Sequence, residues 1–298
     1  MKKISCFSYK GGAGRTTLAL NVVPFLAQKL GASPEHPLIL VDMDVDSCGI
    51  TYFFDLQDSE NIREYCVQNL FGSSGRIPQG NGGPIQEHKL FRYLCKVGNW
   101  FNYDPAAILC LPANPGDKFG GESNYDGKQS PNLKAFITEC EKNGCCGVLL
   151  DSAVGDQMVA RWSNHHADTI LCVMRPTKQF REGTERFFDE FDEYINDRRI
   201  IVIPNVVPTD PLTLAERDGT HAYPEFAKKA IHKAFEDNVE RQDNQYDLTM
   251  VEGENFGVPK IDRFMWQEGI LYTVPDRTKT EEEALTCYKK IADIICKG

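Results

Sequence analysis

The sequence has no apolar stretch that approaches the ~20 residues a helix needs to cross a bilayer, which speaks against a helical membrane span. It has no CxxC pair and no Cys/His cluster of zinc spacing, so its eleven cysteines indicate neither a structural zinc site nor a dithiol motif. Cys6, Cys110 and Cys172 stand in apolar runs, where a free thiol behaves as a small hydrophobe. Positive charge is in deficit, with 33 Lys and Arg against 43 Asp and Glu. The resulting charge of −10 argues against a surface that coats nucleic acid non-specifically, leaving room only for a local basic patch. The few residues before the first glycine run are too short for a signal-peptide core, and no segment repeats. Together these absences read as a reduced, cytoplasmic protein.

What is present is ordinary globular composition over 298 residues, 41% hydrophobic and 26% charged, enough for one large domain or two small ones. Short apolar runs alternate with amphipathic segments, which predicts a doubly wound, mostly parallel α/β sheet flanked by helices. The runs "KISCFSY", "PLILVDMD", "AILCLPA", "GVLLDSA", "DTILCVMRP" and "RIIVIPNVV" read as strands buried on both faces. Helical spacing marks "TTLALNVVPFLAQKLG", ending at Gly31, with Pro24 expected to bend it or force an adjustment. The same spacing marks "SPNLKAFITECEKNG", "GTERFFDEFDEYIND" and "AYPEFAKKAIHKAFEDNV". Three regions exceed a minimal core and read as insertions in a single domain: about 71–89, 116–131 and 206–250. The first two are rich in Gly, Pro and polar residues; the first reads as a mobile excursion, and both fit either a partner contact or a solvated insertion.

The stretch "SYKGGAGRTTLALNV" carries the chemistry. Gly11, Gly12, Ala13 and Gly14 lie between a strand and a helix, where glycines let backbone N–H groups point at phosphate oxygens and the helix dipole adds to the attraction. Thr16 offers a hydroxyl for Mg²⁺, and Thr17 one for another phosphate oxygen. Two departures stand out: Tyr9 occupies the place of the first glycine of a simple P-loop, and Arg15 that of its lysine. Asp42 and Asp44 alternate at the end of one strand and Asp151 closes another, at the carboxyl ends where open α/β sheets bind ligands. Asp42 and Asp151, with Thr16, are the candidate metal residues.

These segments, in this order, resemble the ParA/MinD superfamily of deviant Walker A P-loop ATPases (a SIMIBI-type fold), in a variant with Arg in place of the Walker lysine. "KGGAGRTT" is similar to the family's deviant Walker A box, "LILVDMDVDSCG" to its D-x-D segment, and "GVLLDSAVGD" to its Walker B strand. "HADTILCVMRP", "IIVIPNVV" and "FGVPKIDRFMWQEGILY" resemble the later strands and turn, the last including an "IP" strand. The resemblance implies ATP and Mg²⁺ as ligands and slow hydrolysis. It further implies that Lys10 reaches the nucleotide of a second subunit in an ATP-dependent homodimer, that Asp44 positions the attacking water, and that Asn205 contacts adenine. Arg15 is expected to grip its own nucleotide, at a rate of turnover left open; Asp46, where many relatives have Gln, has no assigned role. The implied function is a switch that positions, partitions or assembles an unknown protein partner. Rival readings are a scaffold with little hydrolysis or a small-molecule ligase or kinase of the same fold. Tyr272 and Tyr288 alone make a poor match to the terminal tyrosine cluster of the kinases.

Weaker signals favour structural roles. His165 and His166 read as surface residues rather than a metal site, and Cys145 and Cys146 as core. The last helix has Leu285, Tyr288, Ile291, Ala292 and Ile295 on one face but opens with three glutamates, favouring packing on the fold over membrane insertion.

Overall fold

The computed structural model describes the chain apart from residues 60–61, 73–74, 81, 118–129, 191–194, 196, 210–246, 252–256 and 298. Among the described residues eight strands form one sheet: β1 (Lys2–Ser8), β2 (Leu38–Asp42), β3 (Cys95–Lys96), β4 (Ile108–Leu111), β5 (Gly147–Val154), β6 (Thr169–Met174), β7 (Arg199–Pro204) and β8 (Asp247–Met250). Their order is β3-β4-β2-β5-β1-β6-β7-β8, and of these pairs only β3–β4 is antiparallel. This is a single α/β domain, as the alternating pattern predicts.

The apolar strand runs divide by residue parity between two cores. Ile39, Val41, Ile200 and Val202 face one, while Leu38, Leu40, Ile201 and Ile203 face the other. Covering both faces is what allows strands with no polar side. On the first face lie α4 (Pro131–Lys142), α5 (Met158–His166) and α6 (Lys178–Glu190), with Phe136, Trp162 and Phe187 in that core. On the second lie α1 (Arg15–Leu30) and the last helix, α7 (Lys279–Cys296). Two short helices, α2 (Gly49–Phe53) and α3 (Val67–Phe71), follow β2.

Helix α1 ends as expected, with Gly31 left-handed at φ 67° and its N–H bonding back to the last carbonyls. It runs unbroken through Pro24, whose carbonyl accepts a 2.9 Å bond from Tyr103 Oη. Helix α7 begins in a capping box between Thr278 and Glu281 and packs along α1 through Ala284, Tyr288, Ile291 and Ile295. Leu285 is only half-buried at the margin of that contact.

Some expectations need correction. The described part of 71–89 does not stand off the fold: Ile77 and Ile85 are buried in the first core, and Glu139 of α4 accepts the Gly80 N–H at 3.1 Å. Among its described residues the late "IP" segment forms no strand but a single bridge, Val207 to Pro259, followed by 3₁₀ turns at Asp262–Met265 and Leu271–Thr273. Residues 247–250, counted with the third insertion, are the edge strand β8. Residues 210–246 of that insertion, which include the helix read at 222–239, and most of 116–131 lie outside the described residues. His165 and His166 are half-buried rather than exposed, and burial with nearby cations holds His166 down to about 4.

Candidate nucleotide site

The glycine loop leaves β1 and enters α1 along the carboxyl edge of the sheet. Gly12 and Gly14 adopt left-handed φ values of 78° and 81°, which L side chains rarely take. Gly14 has a second reason to be glycine: a Cβ there would lie 2.7 Å from Asn205 Nδ2. That amide donates to the Ala13 carbonyl at 2.8 Å, tying the end of β7 to the loop. Tyr9 packs against α6, where a Cβ on Gly183 would come within 2.9 Å of its ring. Lys10 is exposed, and its Nζ donates to Gln179 Oε1 at 3.3 Å, away from the loop's interior. Thr17 is half-buried in the first turn of α1.

Asp42 and Asp151 face each other in register on neighbouring strands, both almost fully buried. Thr16 Oγ1 donates to Asp151 Oδ2 at 2.7 Å. Asp42 Oδ2 accepts from the N–H and hydroxyl of Thr51, at 2.8 and 2.7 Å, and so anchors the start of α2. Burial, reinforced by the charge of Asp151, lifts Asp42 to about 7 against the pull of Thr51. Burial likewise lifts Asp151 to about 6, although Arg15 and Thr16 oppose it. The second oxygen of each carboxylate is buried without a hydrogen-bond partner. Two such acids beside a threonine hydroxyl are short of positive charge, and a divalent cation fits that shortage. Among the described residues no three His, Cys, Asp or Glu side chains form a metal cage. This donor set suits Mg²⁺, which commonly takes one or two carboxylates and completes its shell with water and substrate phosphates.

Arg15, the first residue of α1, turns its guanidinium along the sheet edge. Its Nη2 meets Asp44 Oδ2 at 2.8 Å and its Nη1 donates to the Ser152 carbonyl at 2.6 Å. That carbonyl lies at an irregularity in β5: Cys6 pairs with Asp151 and Ser8 with Val154, so one extra β5 residue is accommodated. Asp46, outside this cluster, accepts a long 3.4 Å contact from Gln157.

Three participants escaped the sequence reading. Thr51 anchors Asp42, Ser152 supplies a backbone carbonyl, and Asn21 is buried in α1. Asn21 Nδ2 donates to the Thr17 and Gly269 carbonyls at 2.8 and 3.1 Å, and its Oδ1 accepts from Leu271 N–H at 2.8 Å. A polar residue on the otherwise apolar face of α1 was the available signal for Asn21.

No protein-family model matches the chain, and no curated protein matches it in sequence. Solved structures do. MinD of Aquifex aeolicus, a cell division protein, is 17% identical with TM-score 0.62, covering 98% of this chain and 97% of that one. The septum site-determining protein MinD of Pyrococcus horikoshii, solved with Mg-ADP, is 16% identical with TM-score 0.59, covering 99% and 95%. The fold is that of the MinD-type P-loop ATPases. Cobyrinic acid a,c-diamide synthase of Mycobacterium smegmatis, solved with an ATP analogue and magnesium, is also similar in structure, 12% identical with TM-score 0.59, covering 98% and 93%. No described helix of this chain is long and apolar enough to cross a membrane.

Proposed function

We propose that the chain is a cytoplasmic, Mg·ATP-dependent switch that dimerises around nucleotide, hydrolyses it slowly and so controls the positioning, partition or assembly of a protein partner. The observation that carries this reading is the Thr16–Asp151 hydrogen bond at the foot of the glycine loop, next to a second buried acid. In this assignment the N–H groups of Gly11 to Thr16 bind phosphates, helped by the α1 dipole. Thr17 adds a hydroxyl, and Thr16, Asp151 and Asp42 would hold Mg²⁺, which on binding would draw charge from the phosphates. Asp44 orients the attacking water, and Asn205, already on the loop's rim, helps select adenine. Lys10, exposed beside the loop, suits contact with a second subunit. The nucleotide-bound MinD and synthase neighbours support ATP and Mg²⁺ as the ligands.

The likeness to the synthase supports a second reading, an ATP-dependent ligase acting on a small molecule. Calorimetry with Mg·ATP and Mg·GTP tests the site: ATP should bind, and GTP no better than several-fold more weakly. Phosphate release at high protein concentration tests the switch, expected slow in the wild type and absent in Asp44→Ala. A rate that rises only with a small-molecule acceptor favours the ligase, and binding without turnover favours a scaffold.

A further inference from the structure

We propose that Arg15 and Asp44 form a latch that the terminal phosphate of a nucleoside triphosphate opens, so that loading the site and freeing Asp44 are one event. The inference rests on the reading of the loop as a nucleotide site and concerns how that site is regulated. Both side chains of the pair are buried, at 8% and 7% exposure, and they meet at 2.8 Å. Arg15 is rooted in the first turn of α1, where the helix N-terminus favours an anion. Its fork is nevertheless spent on protein: Nη2 on the Asp44 carboxylate and Nη1 on the Ser152 carbonyl. The guanidinium keeps three further N–H groups, but a phosphate that takes the two N–H groups now engaged must displace these partners.

The competition is therefore between two anions for one guanidinium. While Asp44 holds it, the carboxylate is paired through its Oδ2, and among the described residues its Oδ1 has only a long 3.4 Å contact from the Ser47 N–H. When a terminal phosphate draws the fork away, the carboxylate loses its counter-ion and its Oδ2 is free to accept a hydrogen bond from water. Departure of the phosphate lets the pair close again. A lysine would not do this equally well, because a single ammonium lacks the planar fork that here spans a carbonyl on β5 and a carboxylate beyond β2. Arg15 is on this account a positioning residue for Asp44.

The test is a cycle of Asp44→Asn, Arg15→Lys and the double variant, titrated by calorimetry with magnesium and the ATP analogue AMPPNP, and with ADP. Asp44→Asn should tighten AMPPNP binding about tenfold, the ordinary size of a coupling between sites, because the phosphate no longer competes with a carboxylate. The gain should be much smaller for ADP and should vanish in the Arg15→Lys background. Unchanged or weakened AMPPNP binding in Asp44→Asn, or equal tightening with Arg15→Lys, overturns the latch while leaving the nucleotide site intact. If the wild type binds no nucleotide, the site reading and the latch fall together. Should the variants fold poorly, a crystal structure of the wild type with the analogue decides: Arg15 on the terminal phosphate and off Asp44 supports the latch, and a retained 2.8 Å pair refutes it.

Discussion

Replacing Asp42 by asparagine should change how the protein's stability depends on pH. The folded environment raises this carboxyl from an ordinary 3.8 to about 7, chiefly by burial and secondarily by the charge of Asp151. Between those values the folded state keeps a proton that the unfolded state has released. Stability from this group is therefore intact below about pH 4, falls as pH rises toward 7, and is level above that. Each unit of that interval is worth about 1.4 kcal/mol, so the full span is about 4 kcal/mol. Part of the lift comes from Asp151 and disappears when that neighbour takes a proton, which lowers the expected effect to about 2–4 kcal/mol. The asparagine would keep an oxygen for the Thr51 bonds and carry no charge. In metal-free buffer, urea unfolding at pH 4 and pH 8 should thus show the difference between Asp42→Asn and wild type moving by that amount in the variant's favour. His166, held neutral down to about 4, contributes the opposite slope, but it does so in both proteins and cancels. Saturating Mg²⁺ should reduce the variant's advantage at pH 8 by stabilising the wild type. Parallel curves for the two proteins would refute the idea that burial of Asp42 stores this free energy.

Other substitutions probe the remaining parts of the site. Thr16→Ala and Asp151→Ala should each weaken nucleotide binding in Mg²⁺ and bind like wild type in EDTA; equal losses in both buffers would remove these residues from the metal. Lys10→Ala should keep ATP affinity within a few fold yet fail to dimerise with a slowly hydrolysed analogue in light scattering, since each side of a two-fold interface loses a charge-assisted contact of about 1.5–3 kcal/mol. Normal dimers of that variant would take Lys10 out of the interface. Gly14→Ala should cost about 2 kcal/mol in thermal unfolding, from its left-handed φ and from displacing Asn205, and should abolish nucleotide binding; a wild-type melting curve would contradict the role given to that contact.

The sheet was legible because each central strand is apolar on both faces, a pattern that survives without any partner in view. The limits of α1 followed from Gly14 and Gly31, whose left-handed conformations mark both ends. Strand β3, two residues long, carries no period to read, and β8 owes its assignment to pairing with β7 rather than to its composition. At the site, residue types and order pointed to Thr16 and Asp151, which do meet. The partners of Arg15 did not follow from the loop: one is a carboxylate 29 positions away, the other a main-chain carbonyl 137 positions away at an irregularity of β5. Backbone acceptors have no residue type, so no sequence pattern announces them. Thr51 was likewise hidden, because its bond to Asp42 depends on how the chain turns after β2.

The contact between Tyr9 and Gly183 bears on how such a loop is recognised and altered. A simple P-loop keeps its first glycine at the position of Tyr9; here an aromatic ring stands there, and a glycine on α6 makes the room. The small residue has in effect moved to another element, 174 positions along the chain. The two positions are consequently coupled in volume: a methyl group at 183 would meet the Tyr9 ring at 2.9 Å, so the ring or α6 would have to shift. Transplanting this loop into a related scaffold would require carrying Gly183 with it, and a search for the loop by its linear spelling misses half of what defines it.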